Sequence, residues 1–218
     1  MTLESDQSSP APVIEHARIG IIGCGRLGSA IARLAVSAGV VAVVSNKRGR
    51  QTLEDFARQL GHLVVAASVA EAAREEIVLL AVPWAELAAS LLDLPDWEGR
   101  IVIDATNPDA AATTLLDAAG RASSEIVSDL VPGAHLVKAF NTLPPHLLMA
   151  PAEVVGGRRV IFFSGNHARA KAVVGRMIAH LGLAGVDLGR LSEGGRLQQF
   201  PSGPLVGLDL INIAPVVT

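Results

Sequence analysis

The chain has 218 residues, of which 50% are hydrophobic and 18% charged, with a formal net charge of −3. This length can hold one domain with a buried core, and the absence of a basic stripe argues against nucleic acid as a partner. No apolar stretch reaches the roughly 18 uninterrupted residues of a membrane-spanning helix, so we expect no membrane partner.

The amino terminus has no basic segment followed by an apolar core, which predicts a cytoplasmic protein. Residues 1–17 are rich in Ser, Pro and acidic residues and lack periodicity, so we expect a flexible leader. From there on, short apolar strands alternate with helical patterns. The predicted strands are 18–22, 40–45, 63–66, 77–81, 101–104, 135–139, 160–164 and 184–188, and the predicted helices are 26–38, 51–60, 68–74, 84–92 and 168–181, with a broken helical region over 109–130.

This alternation predicts an α/β fold, a Rossmann-type doubly wound parallel sheet with a small C-terminal strand–helix–strand extension. We expect a dinucleotide-binding domain over residues 18–150. Residues 151–218 would form the small α/β extension and an apolar tail, packed on the same core. Residues 201–218 of that tail carry Asp209 as their sole charged side chain. We therefore expect the tail to pack on a second copy in a homodimer or to close the active site.

A glycine-rich loop follows the first predicted strand. Gly23, Gly25 and Gly28 have the spacing Gly-x-Gly-x-x-Gly, between a β-branched strand and a helix. In this context the first glycine permits a tight turn, the second lets a pyrophosphate approach, and the third lets helix and strand pack closely. The helix N-terminus then faces the anion, and Arg26 either covers the pyrophosphate or is simply exposed.

The end of the second predicted strand indicates which dinucleotide binds. An NAD-binding protein usually has Asp or Glu about 20 residues after the glycines, to hold the ribose 2′-hydroxyl. Here residues 45–50 read Ser-Asn-Lys-Arg-Gly-Arg, and the first acidic residue is Glu54. Hydroxyl, amide and guanidinium groups suit a 2′-phosphate, so we predict NADP, held by Ser45, Asn46, Lys47 and Arg48.

Five short motifs occur in a fixed order along the chain: the glycine loop, then residues 45–49, 81–84, 104–108 and 137–142. In this order they resemble the family of NADP-dependent oxidoreductases linked to the deazaflavin coenzyme F420. That family also includes the cytosolic reductase domains of membrane metalloreductases and many predicted dinucleotide-binding enzymes. The resemblance extends over residues 18–191. It implies NADPH along the strand ends and hydride transfer to a second, flavin-like ring.

The resemblance also implies where the nicotinamide half lies. Val82 and Pro83 would lie near the nicotinamide ribose, and residues 139–142 near the carboxamide. The complete expected coenzyme site is Gly23, Gly25, Arg26, Leu27, Gly28, Ser45, Asn46, Lys47, Arg48, Ala81, Val82, Pro83, Asn107, Ala139, Asn141 and Thr142. The expected substrate-facing residues are Trp84, Phe140, Arg196 and Leu197, with Trp84 either capping the nicotinamide pocket or packing helix against sheet.

No acid–base pair stands out near this site, and direct hydride transfer between two cofactors does not require one. Asn141 is the best candidate for a catalytic role, although deazaflavin-dependent members tend to have histidine there. The sequence therefore predicts an NADPH-dependent oxidoreductase with a small-molecule electron acceptor, either a flavin or a deazaflavin of the F420 type. A non-catalytic NADP sensor is the alternative, and a methyltransferase is disfavoured by residues 45–48.

Two further residue types are less informative. Cys24 is the one cysteine, so the chain forms no internal disulfide, and its position in the glycine loop accepts small residues in general. The six histidines show no ligand spacing, so we expect no metal site.

Overall fold

A computed structural model describes residues 17–150, 153–154 and 156–213. The predicted leader, apart from Ala17, lies outside the described residues. So do the last five residues of the tail.

The first part of the chain forms a series of strand–helix units. In chain order they are β1 (Arg18–Ile22), α1 (Arg26–Ser37), β2 (Val41–Ser45), a 3₁₀ turn (Arg50–Leu53) running into α2 (Glu54–Leu60), β3 (Val64–Ala66), α3 (Val69–Ala72), β4 (Ile77–Leu80), a 3₁₀ turn (Trp84–Glu86) followed by α4 (Leu87–Ser90), β5 (Ile101–Asp104), α5 (Ala110–Ala118), α6 (Ser123–Leu130) and β6 (His135–Ala139). Ser68 caps α3, because its Oγ accepts from the Glu71 N–H.

The second part adds a shorter set of elements. They are α7 (Pro145–Met149), β7 (Glu153–Val154), β8 (Gly157–Gly165), α8 (Ala168–His180), β9 (Ala184–Asp187), α9 (Gly194–Leu197) and β10 (Ile211–Ile213). The sequence predicted α8 and β9 but only the middle of β8, and it did not predict α7, α9 or β10. Pro145 occupies the first turn of α7, where its fixed φ favours a helix start.

The strands form a sheet in the order β10-β8-β6-β5-β4-β1-β2-β3. Strands β1 to β6 are mutually parallel, which gives the doubly wound arrangement that the alternation predicted. Strand β8 departs from that prediction, because it is antiparallel to β6. The carboxyl ends of β1, β2, β4, β5 and β6 therefore meet at one edge of the sheet.

The core lies on both faces of this sheet. Ile19, Ile21 and Val137 contribute to one apolar cluster, which also includes residues of α1 and α8. Val78, Val102 and Leu136 contribute to the other, beneath α3 and α6. Strands covered on both faces explain the continuous runs of Val, Ile and Leu.

The described part of the tail packs on its own chain. Ile211 in β10 pairs with Arg159 in β8, and the Gly207 N–H donates to the Thr142 carbonyl at 2.9 Å. Arg159, a buried residue, also holds Asp209 through an ion pair of 2.7 Å. The tail thus returns to the end of β6, while the homodimer stays a prediction.

Candidate functional site: a dinucleotide cleft at the carboxyl edge of the sheet

The glycine loop connects β1 to α1, and each of its three glycines is in a different environment. Gly23 has a φ of 102°, and an added Cβ would lie 2.6 Å from the Ala81 carbonyl oxygen. A Cβ on Gly28 would collide with the Gly23 carbonyl. A Cβ on Gly25 would meet no atom within 4 Å. Gly23 and Gly28 are therefore needed for the turn itself, whereas Gly25 leaves open space above the backbone.

The backbone of this loop is anchored on one side and open on the other. The N–H groups of Gly23 and Cys24 both donate to the Ser45 carbonyl, at 3.0 and 3.1 Å. The following N–H groups, in the first turn of α1, have no acceptor within the helix. This turn contains no acidic residue, and it begins with the exposed Arg26. Such a helix start is suited to binding an anion.

Ser45 is placed differently from the expectation for a 2′-phosphate ligand. Its side chain is fully buried, and its hydroxyl donates to the Ile21 carbonyl at 2.9 Å. The parallel register, which sets Ser45 beside Ile22, places the residue inside the sheet. Ser45 therefore fixes the end of β2 from within rather than presenting a donor at the surface.

The basic loop, residues 46–50, is held by its own side chains. Asn46 Oδ1 accepts the Arg48 N–H at 2.8 Å, and Asn46 Nδ2 donates to Thr52 Oγ1 at 3.0 Å. Lys47 pairs with Glu86 at 2.7 Å, and Arg50 with Glu71 at 2.6 Å. The Arg50 guanidinium, followed by bonds from Ser68, lowers the pKa of Glu71 to about 2.

Arg48 is the exception among these cations. Its guanidinium is exposed and forms no ion pair with any residue that the structure describes. Burial raises the pKa of the Cys24 thiol to about 11, and Arg33 and Arg48 act in the opposite direction. Arg48 is thus near enough to the glycine loop to act on its electrostatics.

The loop after β4 lies beside the glycine loop. The Ala81 N–H donates to the Ile22 carbonyl at 2.8 Å, which ties this loop to β1. Val82 and Trp84 are partly buried and pack against the second core cluster, while Pro83 is exposed. Of the two alternatives for Trp84, packing against the sheet is the one that the contacts show.

A buried polar network joins the ends of β5 and β6 to α9. Asn107 Nδ2 donates to the Asn141 carbonyl at 3.0 Å, and Asn141 Nδ2 donates to Asn107 Oδ1 at 2.9 Å. The same Asn141 amide donates to the Gln198 carbonyl at 2.7 Å. Gln198 in turn binds Ser164 and the Phe162 carbonyl, at 2.9 and 3.0 Å. Asn141, expected beside the nicotinamide, therefore has an amide committed to holding these loops together.

Other expected residues of this region also face inward. Phe140 has a φ of 63° and is 1% exposed within the first core cluster, so its side chain does not face a substrate as expected. A bulky residue at positive φ is uncommon and marks a constrained chain reversal at this strand end. Ala139 and Thr142 are buried as well.

The short helix α9 brings the remaining expected residues to the rim. Arg196 donates from its guanidinium to the Gly120 carbonyl at the end of α5, and Leu197 is 40% exposed. Gln198, directly after the helix, was not expected as a site residue. The run Gln198-Gln199, just before the apolar residues 201–218, is the signal that could have indicated it.

A buried ion pair lies beneath the loops after β5 and β6. Lys138 Nζ is 3.0 Å from Asp104 Oδ2, and neither side chain is exposed. The sequence places Asp104 at the end of a predicted strand and within one motif, and it assigns no role to the side chain of Asp104 or of Lys138. That these two oppositely charged residues are register partners becomes visible only once the pairing of β5 with β6 is known.

Other kinds of site are absent from the described residues. Over this part of the chain, no group of three or more His, Cys, Asp or Glu side chains could hold a metal ion. Among the described helices, none has the length and apolar character needed to cross a membrane.

A parallel sheet with a Gly-x-Gly-x-x-Gly turn after its first strand defines the class of Rossmann dinucleotide-binding proteins. Residues 18–108 match the family described as NADP oxidoreductase, coenzyme F420-dependent. A hypothetical protein from Sinorhizobium meliloti is 43% identical, with a TM-score of 0.83, over 90% of this chain and 96% of that one. The dinucleotide-binding part of the chain, residues 18–108, belongs to this family of F420-linked NADP oxidoreductases. The protein is an NADP-dependent oxidoreductase.

More distant structures share the fold. A candidate F420-dependent NADP-reductase from Arthrobacter sp. FB24 is 24% identical over 80% of this chain and 85% of its own, with a TM-score of 0.61. A reductive aminase from Aspergillus terreus, solved with NADPH and ethyl levulinate, is 19% identical with a TM-score of 0.61. The match covers 82% of this chain but only 56% of the aminase.

Proposed function

We propose that the protein transfers a hydride between NADPH and a flavin or deazaflavin of the F420 type. The observation that carries this proposal is the open backbone at Gly25, together with the exposed Arg48, which forms no ion pair among the described residues, in a family described by NADP and coenzyme F420. The name of the family supports the acceptor class, and the geometry supports the coenzyme.

The residues present fit an NADP molecule. The pyrophosphate would lie over Gly25, where there is room for it, against the first turn of α1. The 2′-phosphate would lie against the basic loop, because no carboxylate follows β2 directly and Arg48 is available as a bidentate donor. We call residues 23–28 and 45–50 the adenosine end of the cleft.

The other half of the coenzyme would follow the ends of β4, β5 and β6. We call the loops 105–108 and 140–142, together with Gln198, the nicotinamide end. Its polar side chains bind one another rather than pointing outward, so their contribution is to hold the backbone of these loops in place. Backbone groups at strand ends can then orient a carboxamide.

NADPH, when bound, supplies the hydride. The chain's own part is to bind both partners, align them and exclude water, since direct transfer needs proximity rather than a protein acid or base. Leu197 and Phe200, 40% and 43% exposed, lie beside the nicotinamide end on and after α9. An apolar rim of this kind suits a planar ring system.

The direct test is to mix the protein with NADPH and oxidised F420, FMN or FAD, and to follow the absorbance of both partners. We expect NADPH oxidation matched mole for mole by reduction of one ring system. A protein that binds NADPH but reduces no flavin or deazaflavin would overturn the acceptor assignment.

A pair of surface variants locates the acceptor. Leu197→Asp places a charge on the apolar rim and should raise KM for the acceptor while leaving the Kd of NADPH unchanged. Leu92→Asp is the matched control, because Leu92 is 69% exposed and follows α4, away from α9. Equal kinetics for the two variants would argue against acceptor binding at α9.

A further inference from the structure

A row of polar residues crosses the sheet at one level. Asp104 in β5 is the register partner of Lys138 in β6, and Lys138 is the register partner of Ser164 in β8. All three side chains are fully buried. On the other side of β5, the register partner of Asp104 in strand β4 is the apolar Leu80. The row thus spans β5 and β6, which lead into the nicotinamide end, and the antiparallel β8 beside them.

Asp104 is surrounded by four hydrogen-bond donors. Its Oδ1 accepts from the Thr106 N–H at 2.9 Å and from the Thr106 hydroxyl at 2.7 Å. Its Oδ2 accepts from Ser124 Oγ at 2.8 Å and from Lys138 Nζ at 3.0 Å. A carboxylate with four donors is fully satisfied in the absence of water.

Lys138 completes the arrangement by binding the same loop. Its Nζ donates to the Thr106 carbonyl at 3.0 Å as well as to Asp104. Both backbone groups of Thr106 are therefore bound by this pair, one by the carboxylate and one by the ammonium. Thr106 precedes Asn107, whose amide binds Asn141 at the end of β6. The ion pair thereby acts on both loops of the nicotinamide end.

Stability alone does not account for a charged pair at this place. Removing two charges from water has a large cost, and a well-packed apolar pair of similar size is often as stable or more stable. What apolar side chains cannot do is bind the N–H and the carbonyl of Thr106. The distinguishing contribution of the pair is to fix the course of the loop.

We propose that Asp104 and Lys138 are positioning residues, which fix the loops 105–108 and 140–142 in the geometry that aligns the nicotinamide. The alignment of the nicotinamide rests on the proposed function, whereas the fixing of the two loops by the ion pair does not. It assigns to the pair no contact with the reacting atoms.

The main variant is the double substitution Asp104→Leu with Lys138→Met, because it removes both charges and leaves neither unpaired. Lys138→Met alone leaves a buried carboxylate, which can prevent folding. The matched control is Ser124→Ala, which removes one donor to Asp104 without touching Thr106. Thermal unfolding establishes first that each variant is folded.

The first measurement is hydrogen–deuterium exchange of the peptides that contain the two loops, with residues 45–52 as the internal reference. In the double variant we expect exchange to rise by about tenfold in both loops and to stay unchanged in the reference. Ser124→Ala should exchange like the unmodified protein. A folded double variant with unchanged exchange in both loops would overturn the proposal.

The second measurement compares the affinities for NADPH and for 2′,5′-ADP, which lacks the nicotinamide half. In the double variant, we expect the affinity for NADPH to fall by about tenfold and the affinity for 2′,5′-ADP to stay unchanged, because the lost charge-assisted hydrogen bonds hold only the nicotinamide end. An equal loss for both would make the pair merely structural and contradict the proposal. If the unmodified protein binds neither ligand, the proposed function fails, while the exchange experiment still decides the role of the pair.

Discussion

The adenosine end and the nicotinamide end of the cleft are constructed in different ways. The adenosine end consists of glycine backbone, a helix start and exposed cations, all within 28 residues of the chain, from Gly23 to Arg50. The nicotinamide end consists of buried side chains that bind one another across 34 and 57 positions in sequence. The comparison teaches that one end is a local motif, whereas the other exists only after long-range folding.

The largest effect is expected for Gly28→Ala, which breaks the local motif. A Cβ at this position meets the Gly23 carbonyl, a backbone group that cannot move aside. We expect the free energy of unfolding to fall by about 3 kcal/mol and coenzyme binding to be lost. Urea unfolding measures the first effect and an NADPH titration the second.

Gly25→Ala is the matched control for that variant. The added methyl group enters open space, and the backbone of Gly25, with φ of −84°, is accessible to alanine. Stability should be unchanged, whereas NADPH affinity should fall at least about tenfold because the methyl group occupies the position of the pyrophosphate. Normal NADPH binding by this variant would contradict the placement of the coenzyme.

The next effect concerns the long-range end. Gln198→Met removes an amide that binds Ser164 and the Phe162 carbonyl, leaving buried polar groups without partners. We expect a loss of about 2 kcal/mol in unfolding free energy. NADPH affinity should decrease more than that for 2′,5′-ADP. Gln59→Met, at an exposed position of α2, is the control and should change neither quantity.

Arg48→Ala sharpens the comparison at the adenosine end. Loss of a charge-assisted bond to the 2′-phosphate should weaken NADPH binding by about tenfold or more and leave NADH binding as it is. Arg50→Ala is the control in the same loop, because Arg50 is already paired with Glu71. A titration in which Arg48→Ala weakens both coenzymes alike would speak against a 2′-phosphate at this loop.

The smallest effect is a pH dependence at Cys24. Because burial raises the pKa of its thiol to about 11, the folded state favours the neutral thiol. This contribution to stability is complete below the unfolded pKa, about 8.5, and decreases as the pH rises towards 11. Alkylation by iodoacetamide should accordingly increase at a much higher pH in the native protein than in urea. Identical pH profiles would show that the thiol is not protected.

The sequence predicted the features that depend on neighbouring residues. The strands and the glycine turn of the first half follow from apolar runs and from the spacing of the glycines. Ser45 was predicted as a ligand because it lies at the end of the second strand and carries a hydroxyl, but its register with Ile22 buries it. Periodicity gives no information on the face of a strand when both faces are covered.

The remaining features depend on pairings that a single sequence does not display. The role of Lys138 follows from its register with Asp104, and that of Gln198 from its return to Asn141. The helix α7 was not predicted, although Pro145 is well placed at a helix start. Phe140 has a positive φ, which a bulky residue rarely adopts, so the sequence did not indicate that its side chain would face inward.

The return of the tail to Thr142 has a consequence for the order in which the protein matures. A chain leaves the ribosome from its amino terminus, and its segments can fold as they emerge. The glycine turn, the basic loop and strands β1 to β4 are complete once residue 80 has been made. Asn141, by contrast, has to wait for Gln198, and Thr142 for Gly207. We therefore expect a nascent chain to acquire its phosphate cradle early and a finished nicotinamide end only after residue 207 has been made.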